Sequence, residues 1–92
     1  MVGQLEIDLF AEEFHSLKDK RRLLSSLKAR LRRRFNVAVA ESGAQDLWQR
    51  AQLTVVSVGA GRAELARLFR QVEELIERDY AVEISRLSEQ YY

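Results

Sequence analysis

The sequence predicts an α+β sandwich of order β-α-β-β-α-β, a four-stranded antiparallel sheet with two helices on one face. Two segments of helical apolar periodicity, around residues 17–34 and 62–78, are each flanked by segments that alternate apolar and polar residues. Right-handed crossovers through both helices place them on the same side of one sheet. The length of 92 residues, 47% of them hydrophobic, suits a single domain over 1–92 with a modest core.

The first strand runs from Val2 to Phe10, with Leu5, Ile7 and Leu9 on one face and Gln4, Glu6 and Asp8 on the other. Ala11 to His15 reads as a short polar loop. Ser16 is a good N-cap, and Asp19 three residues on suits the positive end of a helix. That helix runs to about Arg34 and buries Leu17, Leu24, Leu27 and Leu31, with Leu23 beside them. A second strand is expected over Phe35 to Ala40, before the Ser42-Gly43 turn signal. Ala51 to Val58 forms the third strand.

Gly59-Ala60-Gly61 then reads as a plain strand-to-helix loop, since it lacks the Walker lysine and dinucleotide-binding spacing. The second helix, Arg62 to Arg78, buries Leu65, Leu68, Phe69, Val72, Leu75 and Ile76. Its outer face offers the pairs Glu64/Arg67, Arg70/Glu74 and Glu74/Arg78. A last strand is expected over Ala81 to Leu87, with residues 88–92 a frayed tail. This is the ferredoxin-like arrangement, with expected strand order 4-1-3-2.

Several functions are disfavoured. Without cysteine there can be no disulfide, iron–sulfur cluster or thiolate zinc site. No apolar run approaches the ~20 residues of a membrane span, and Glu6 and Asp8 do not suit a signal peptide. A cytoplasmic protein without membrane contact is expected. One histidine and no carboxylate cluster of metal-ligand spacing predict no metal and no cofactor. No catalytic constellation appears and His15 has no visible supporting partner, so no enzyme is expected. The first and third strands present Leu5, Ile7, Gln52, Thr54 and Val56 rather than interleaved aromatics, so stacking of the RNA-recognition-motif type is not predicted.

The informative feature is charge. The net charge is +1, yet residues 18–34 hold nine of the fifteen basic side chains and one acid, Asp19. At about 100° per residue, Lys18, Arg21, Arg22, Lys28, Arg32 and Arg33 share one flank of the first helix, with Ser25 and Ala29 among them. Six cations so placed repel one another, and a polyanion would relieve that repulsion. The competing reading is a solvated flank, or one paired with Glu6, Glu12, Glu13 or Glu41. His15, Trp48 and Arg50 are candidate anchors. The plain reading makes Trp48 a hydrophobic lid on the sheet edge and has His15 packing or hydrogen-bonding at the helix start. The sharper one makes Trp48 a partner contact or base-stacking platform.

The segments His15-Ser16-Leu17-Lys18, Lys20-Arg21-Arg22, Phe35-Asn36-Val37, Val39-Ala40-Glu41, Trp48 and Ala51-Gln52-Leu53 resemble the YlxP-like domain-of-unknown-function proteins of bacteria. The resemblance implies a ferredoxin-like fold and no established catalytic activity. Genes of that family often neighbour translation-initiation and ribosome-maturation genes, including that of ribosome-binding factor A, which implies a role near RNA or the ribosome.

The expected function is therefore a non-enzymatic RNA- or ribosome-binding module. The alternative is a homo-oligomer paired through an edge strand made of Phe35, Asn36, Val37, Ala38, Val39 and Ala40, which carries little to block pairing.

Overall fold

The computed structural model describes residues 1–92. The elements follow the expected order: β1 (Val2–Phe10), α1 (Leu17–Arg34), β2 (Ala38–Gly43), β3 (Arg50–Val58), α2 (Arg62–Asp79) and β4 (Glu83–Tyr91). The strands form one antiparallel sheet in the order β2-β3-β1-β4. This is the ferredoxin-like α+β fold.

β1 and β3 are central, and their alternation puts Leu5, Ile7, Leu9, Ala51, Leu53 and Val55 under the helices. Leu24, Leu27 and Leu31 of α1 and Phe69, Val72, Leu75 and Ile76 of α2 complete the core. Gly3 is buried on the same face, where a Cβ would stand 3.0 Å from Cε2 and Cζ of Phe69. Ser16 caps α1 by accepting from the Asp19 N–H at 3.1 Å. At α2 the cap is Gly61, and the Glu64 carboxylate accepts the Ala60 N–H at 3.0 Å.

Four expectations need correction. β2 starts at Ala38, so Phe35, Asn36 and Val37 are not in the edge strand. Phe35 closes α1 by donating its N–H to Leu31 O at 2.9 Å, and Val37 N–H returns to Phe35 O at 3.0 Å. The Asn36 carbonyl accepts from Ser57 Oγ at 2.7 Å. Phe35 and Val37 do face the core, which is why the alternation reads as strand.

The strand instead continues through Glu41 to Gly43. A bulge at Ser42 interrupts its pairing with β3, and Glu41 lies opposite Leu53 on the helix-covered face.

Residues 88–92 are not frayed. β4 pairs with β1 as far as Gly3↔Tyr91, and Val2 and Tyr92 exchange N–H···O bonds of 2.9 and 2.8 Å. Tyr91 packs against Phe69 with ring centroids 6.2 Å apart, and this contact holds the polar end of the strand down.

The loop after β1 is not wholly polar, since Ala11 and Phe14 are buried. Finally, the expected ion pairs along α2 do not form. Arg78 binds Asp79 at 3.0 Å, and Asp79 bridges to Arg30 of α1 at 2.6 Å. No helix is long and apolar enough to cross a membrane.

Candidate nucleic-acid interface

Helical geometry divides α1 into three surfaces. The leucine stripe faces the sheet. Arg30 points toward α2, where it binds Asp79 and lies 5.9 Å from the centroid of Tyr80. The hydrogen bond from Arg78 holds the Asp79 carboxyl below its ordinary pKa against desolvation, with the charge of Arg30 adding to it. Hydrogen bonding with Tyr80, then the charge of Asp79, raises the pKa of Arg30.

The third surface is the basic flank, rising beside the edge strand β2. Lys18, Arg21, Arg22, Arg32 and Arg33 are exposed and Lys28 is half-buried. The chain's three ion pairs are Lys20–Glu41, Arg30–Asp79 and Arg78–Asp79, so none of the six flank cations is neutralised by a carboxylate within 4.0 Å. Glu6, Glu12, Glu13 and Glu41 do not pair with them. Arg32 differs from the other five: its Nη2 donates to the carbonyl of Val39, on β2, at 2.7 Å.

The chain's most buried charge is Lys20, which the sequence reading left without a role. Its side chain is 1% exposed, within the leucine stripe. Nζ donates to the carbonyls of Ala44 and Leu47 at 2.7 Å and of Arg50 at 2.8 Å. Those bonds use the three protons of an ammonium. The Gln45 carbonyl at 3.4 Å and Glu41 Oε2 at 3.2 Å add Coulombic attraction. Glu41 Oε2 is itself buried without a hydrogen bond, as expected when no proton is left for it.

Lys20 thereby fixes the β2–β3 connection, whose own backbone bonding is a single turn from Leu47 N–H to Ala44 O at 3.1 Å. Ala44 there has φ 58°, in the left-handed region that an L-residue adopts at a cost.

The fixed connection carries Leu47 and Trp48, 53% and 52% exposed. Gln49 ties it to the loop after β1: Ala11 N–H donates to Gln49 O at 2.9 Å, and Gln49 Nε2 to Glu12 O at 3.3 Å. Arg50 begins β3 and lies over the Phe10 ring, 5.0 Å from its centroid. Phe10, Leu47, Trp48, Gln49 and Arg50 line an open cavity of about 210 Å³. Trp48 and Arg50 are thus brought together with Phe10, which the sequence reading passed over although β1 alternation puts it on the open face. His15 is exposed beside Ser16 and is not part of this cavity.

Residues 2–88 match the family described as "Protein of unknown function (DUF503)". The chain is 31% identical over 77 residues to the uncharacterized protein YlxP of Bacillus subtilis (strain 168), covering 84% of each. Among solved structures, the de novo designed protein Ferredog-Diesel aligns over 99% of this chain and 85% of its own, with a TM-score of 0.54 and 15% identity. That likeness concerns the fold alone.

Proposed function

The chain belongs to the DUF503 family of proteins of unknown function, and from its cationic flank we propose that it is a non-enzymatic RNA- or ribosome-binding module. The observation that carries this is the unpaired state of the flank. In a chain with 14 acidic side chains, the six flank cations have no acidic partner. Their mutual repulsion is a standing cost that phosphates would remove, releasing condensed counterions as they bind.

Lys18, Arg21, Arg22, Lys28 and Arg33 are the phosphate contacts. Arg32 contributes charge while it holds Val39. Ser25, exposed, and Ala29, half-buried, are small enough to let a sugar–phosphate backbone approach the helix. RNA is favoured over other polyanions by the translation-linked gene neighbourhood of the family the sequence resembles.

The test is anisotropy of a labelled single-stranded RNA titrated at several salt concentrations. With roughly three to six phosphates engaged, log K should fall with log salt at a slope of about −2 to −4. The quadruple variant Lys18→Ala, Arg21→Ala, Arg22→Ala, Arg33→Ala should flatten the slope and weaken binding at least about tenfold. A flat salt response in the natural chain, or equal binding by the variant, sinks the reading.

A further inference from the structure

We propose that the cleft between Phe10, Trp48 and Arg50 takes one unpaired nucleobase of the RNA whose phosphates lie on α1. The inference rests on the RNA-binding reading above and adds to it where a base is read.

The cleft is built to be rigid while staying open. Large apolar side chains are left exposed at a cost, and Leu47 and Trp48 are each about half exposed, 53% and 52%. They sit on a connection that is tied down at three carbonyls by one buried ammonium and at Gln49 by two further bonds. A side chain displayed on a fixed segment loses little freedom when it is covered. Surface aromatics of this kind act as stacking platforms, since every base has a flat π-face.

Size and charge narrow the occupant. Pockets for drug-sized ligands measure about 300–1,000 Å³, so a cavity of about 210 Å³ accepts a single ring system. Arg50 supplies a cation at the cleft, over Phe10. On the other side of Phe10, Glu12, Glu13 and Glu83 line the adjoining cavity, and Asp8 lies in the one beside Arg50. Those carboxylates repel a phosphate backbone from the open sheet. The phosphates are therefore kept on α1. The β2–β3 connection, which Lys20 of α1 holds and which carries Trp48, is the link by which a strand crosses from the helix to the cleft on the open face.

Trp48 is the only tryptophan of the chain, so its emission reports the cleft directly. Anisotropy of a labelled oligouridylate or oligoadenylate, read beside Trp48 emission, is compared with an abasic strand of equal length. The expected result is quenching by the base-containing strands only, and affinity for the abasic strand lower by about tenfold, the order of one base–aromatic stack. Trp48→Ala should cause a similar loss and Trp48→Phe should recover most of it, with the salt slope unchanged in both.

Salt-dependent binding with constant Trp48 emission and equal affinity for the abasic strand overturns this inference while leaving the phosphate flank intact, and assigns the exposed aromatics to another class of partner. Absence of binding by every strand overturns both.

Discussion

The Lys20 ammonium holds the carbonyl of Ala44 at 2.7 Å, and Ala44 is the chain's one non-glycine residue with positive φ, at 58°. A buried charge and a strained backbone are therefore parts of one device. Lys20 supplies the donors that let the β2–β3 connection close beneath α1, and the tight turn at Ala44 brings the carbonyls within reach.

Lys20→Met keeps the bulk of the side chain and removes the charge. It leaves the carbonyls of Leu47 and Arg50 without the Lys20 donor, leaves Ala44 O only the N–H of Leu47 at 3.1 Å, and leaves the Glu41 carboxylate unpaired. Breaking a buried ionic network from one side costs about 3–5 kcal/mol, a large share of the ~5–15 kcal/mol that stabilises a typical domain. Glu41→Gln should cost under about 1 kcal/mol, because Glu41 Oε2 accepts no hydrogen bond and the ammonium keeps its three carbonyls. Urea unfolding of both variants checks the asymmetry. Equal losses would mean that the ion pair, and not the carbonyl cage, holds the loop.

Ala44→Gly should be neutral or stabilising by up to about 1.5 kcal/mol. Relief of the left-handed conformation, about 1–2 kcal/mol, is offset by the greater freedom that glycine gains in the unfolded chain. Ala66→Gly, the same exchange within α2, should instead cost about 1 kcal/mol. Thermal melts of the two variants should therefore move differently, and parallel losses would argue against strain at Ala44.

Two carboxylates should give opposite pH responses. Hydrogen bonding from Arg78 lowers the Asp79 pKa, opposed by a smaller desolvation effect and aided by the charge of Arg30. Its stabilising contribution is present above the ordinary carboxylate pKa and is lost as pH falls through the lowered value. Asp79→Asn should lower Tm at pH 7, and the deficit should vanish in strong acid. Glu73 is shifted upward, first by desolvation and then by Glu77 and Glu89. A raised carboxyl pKa favours the folded state below the unfolded value and is a liability above the folded one. Glu73→Gln should therefore raise stability at pH 7 by roughly 0.2–0.5 kcal/mol, the scale of a like-charge i,i+4 pair on an exposed helix. The gain should disappear below about pH 4. A gain that persisted in acid would trace to the amide and not to relieved repulsion.

The sequence carries the topology because periodicity is a local property. Leu5, Ile7 and Leu9 must share a face of a strand, and Leu24, Leu27 and Leu31 a face of a helix, whatever surrounds them. Half of the Lys20 story is legible in the same way: at about 100° per residue it falls between Leu27 and Leu31, and a lysine inside a leucine stripe asks for buried partners. Those partners were not legible. They are backbone carbonyls 24 to 30 residues onward in a connection without periodicity, and carbonyls have no residue signature. The end of β4 was hidden for a related reason. Ser88-Glu89-Gln90 looks like tail, and only pairing with β1 and the contact of Tyr91 with Phe69 make it strand. Phe10 was visible as an open-face residue, whereas its neighbours Trp48 and Arg50 meet it only through the β1–β3 register Phe10↔Arg50.

Arg32 is expected to guard the β2 edge. Exposed edge strands offer unpaired backbone groups to a second copy, and inward-reaching charges are one way to prevent that pairing. Arg32 Nη2 occupies the Val39 carbonyl at 2.7 Å, and the neighbouring Lys28 and Arg33 would face the same cations on an approaching copy. Arg32→Ala should remove the plug at a folding cost of about 1 kcal/mol or less, as for a partly exposed hydrogen bond. Sedimentation velocity at tens of micromolar should then show more self-association than in the natural chain. Because the remaining cations still repel, association of the variant should strengthen as salt is raised and the Debye length shrinks from about 10 Å at 0.1 M. A natural chain already dimeric at these concentrations, and unaffected by Arg32→Ala, would place the pairing surface somewhere other than β2.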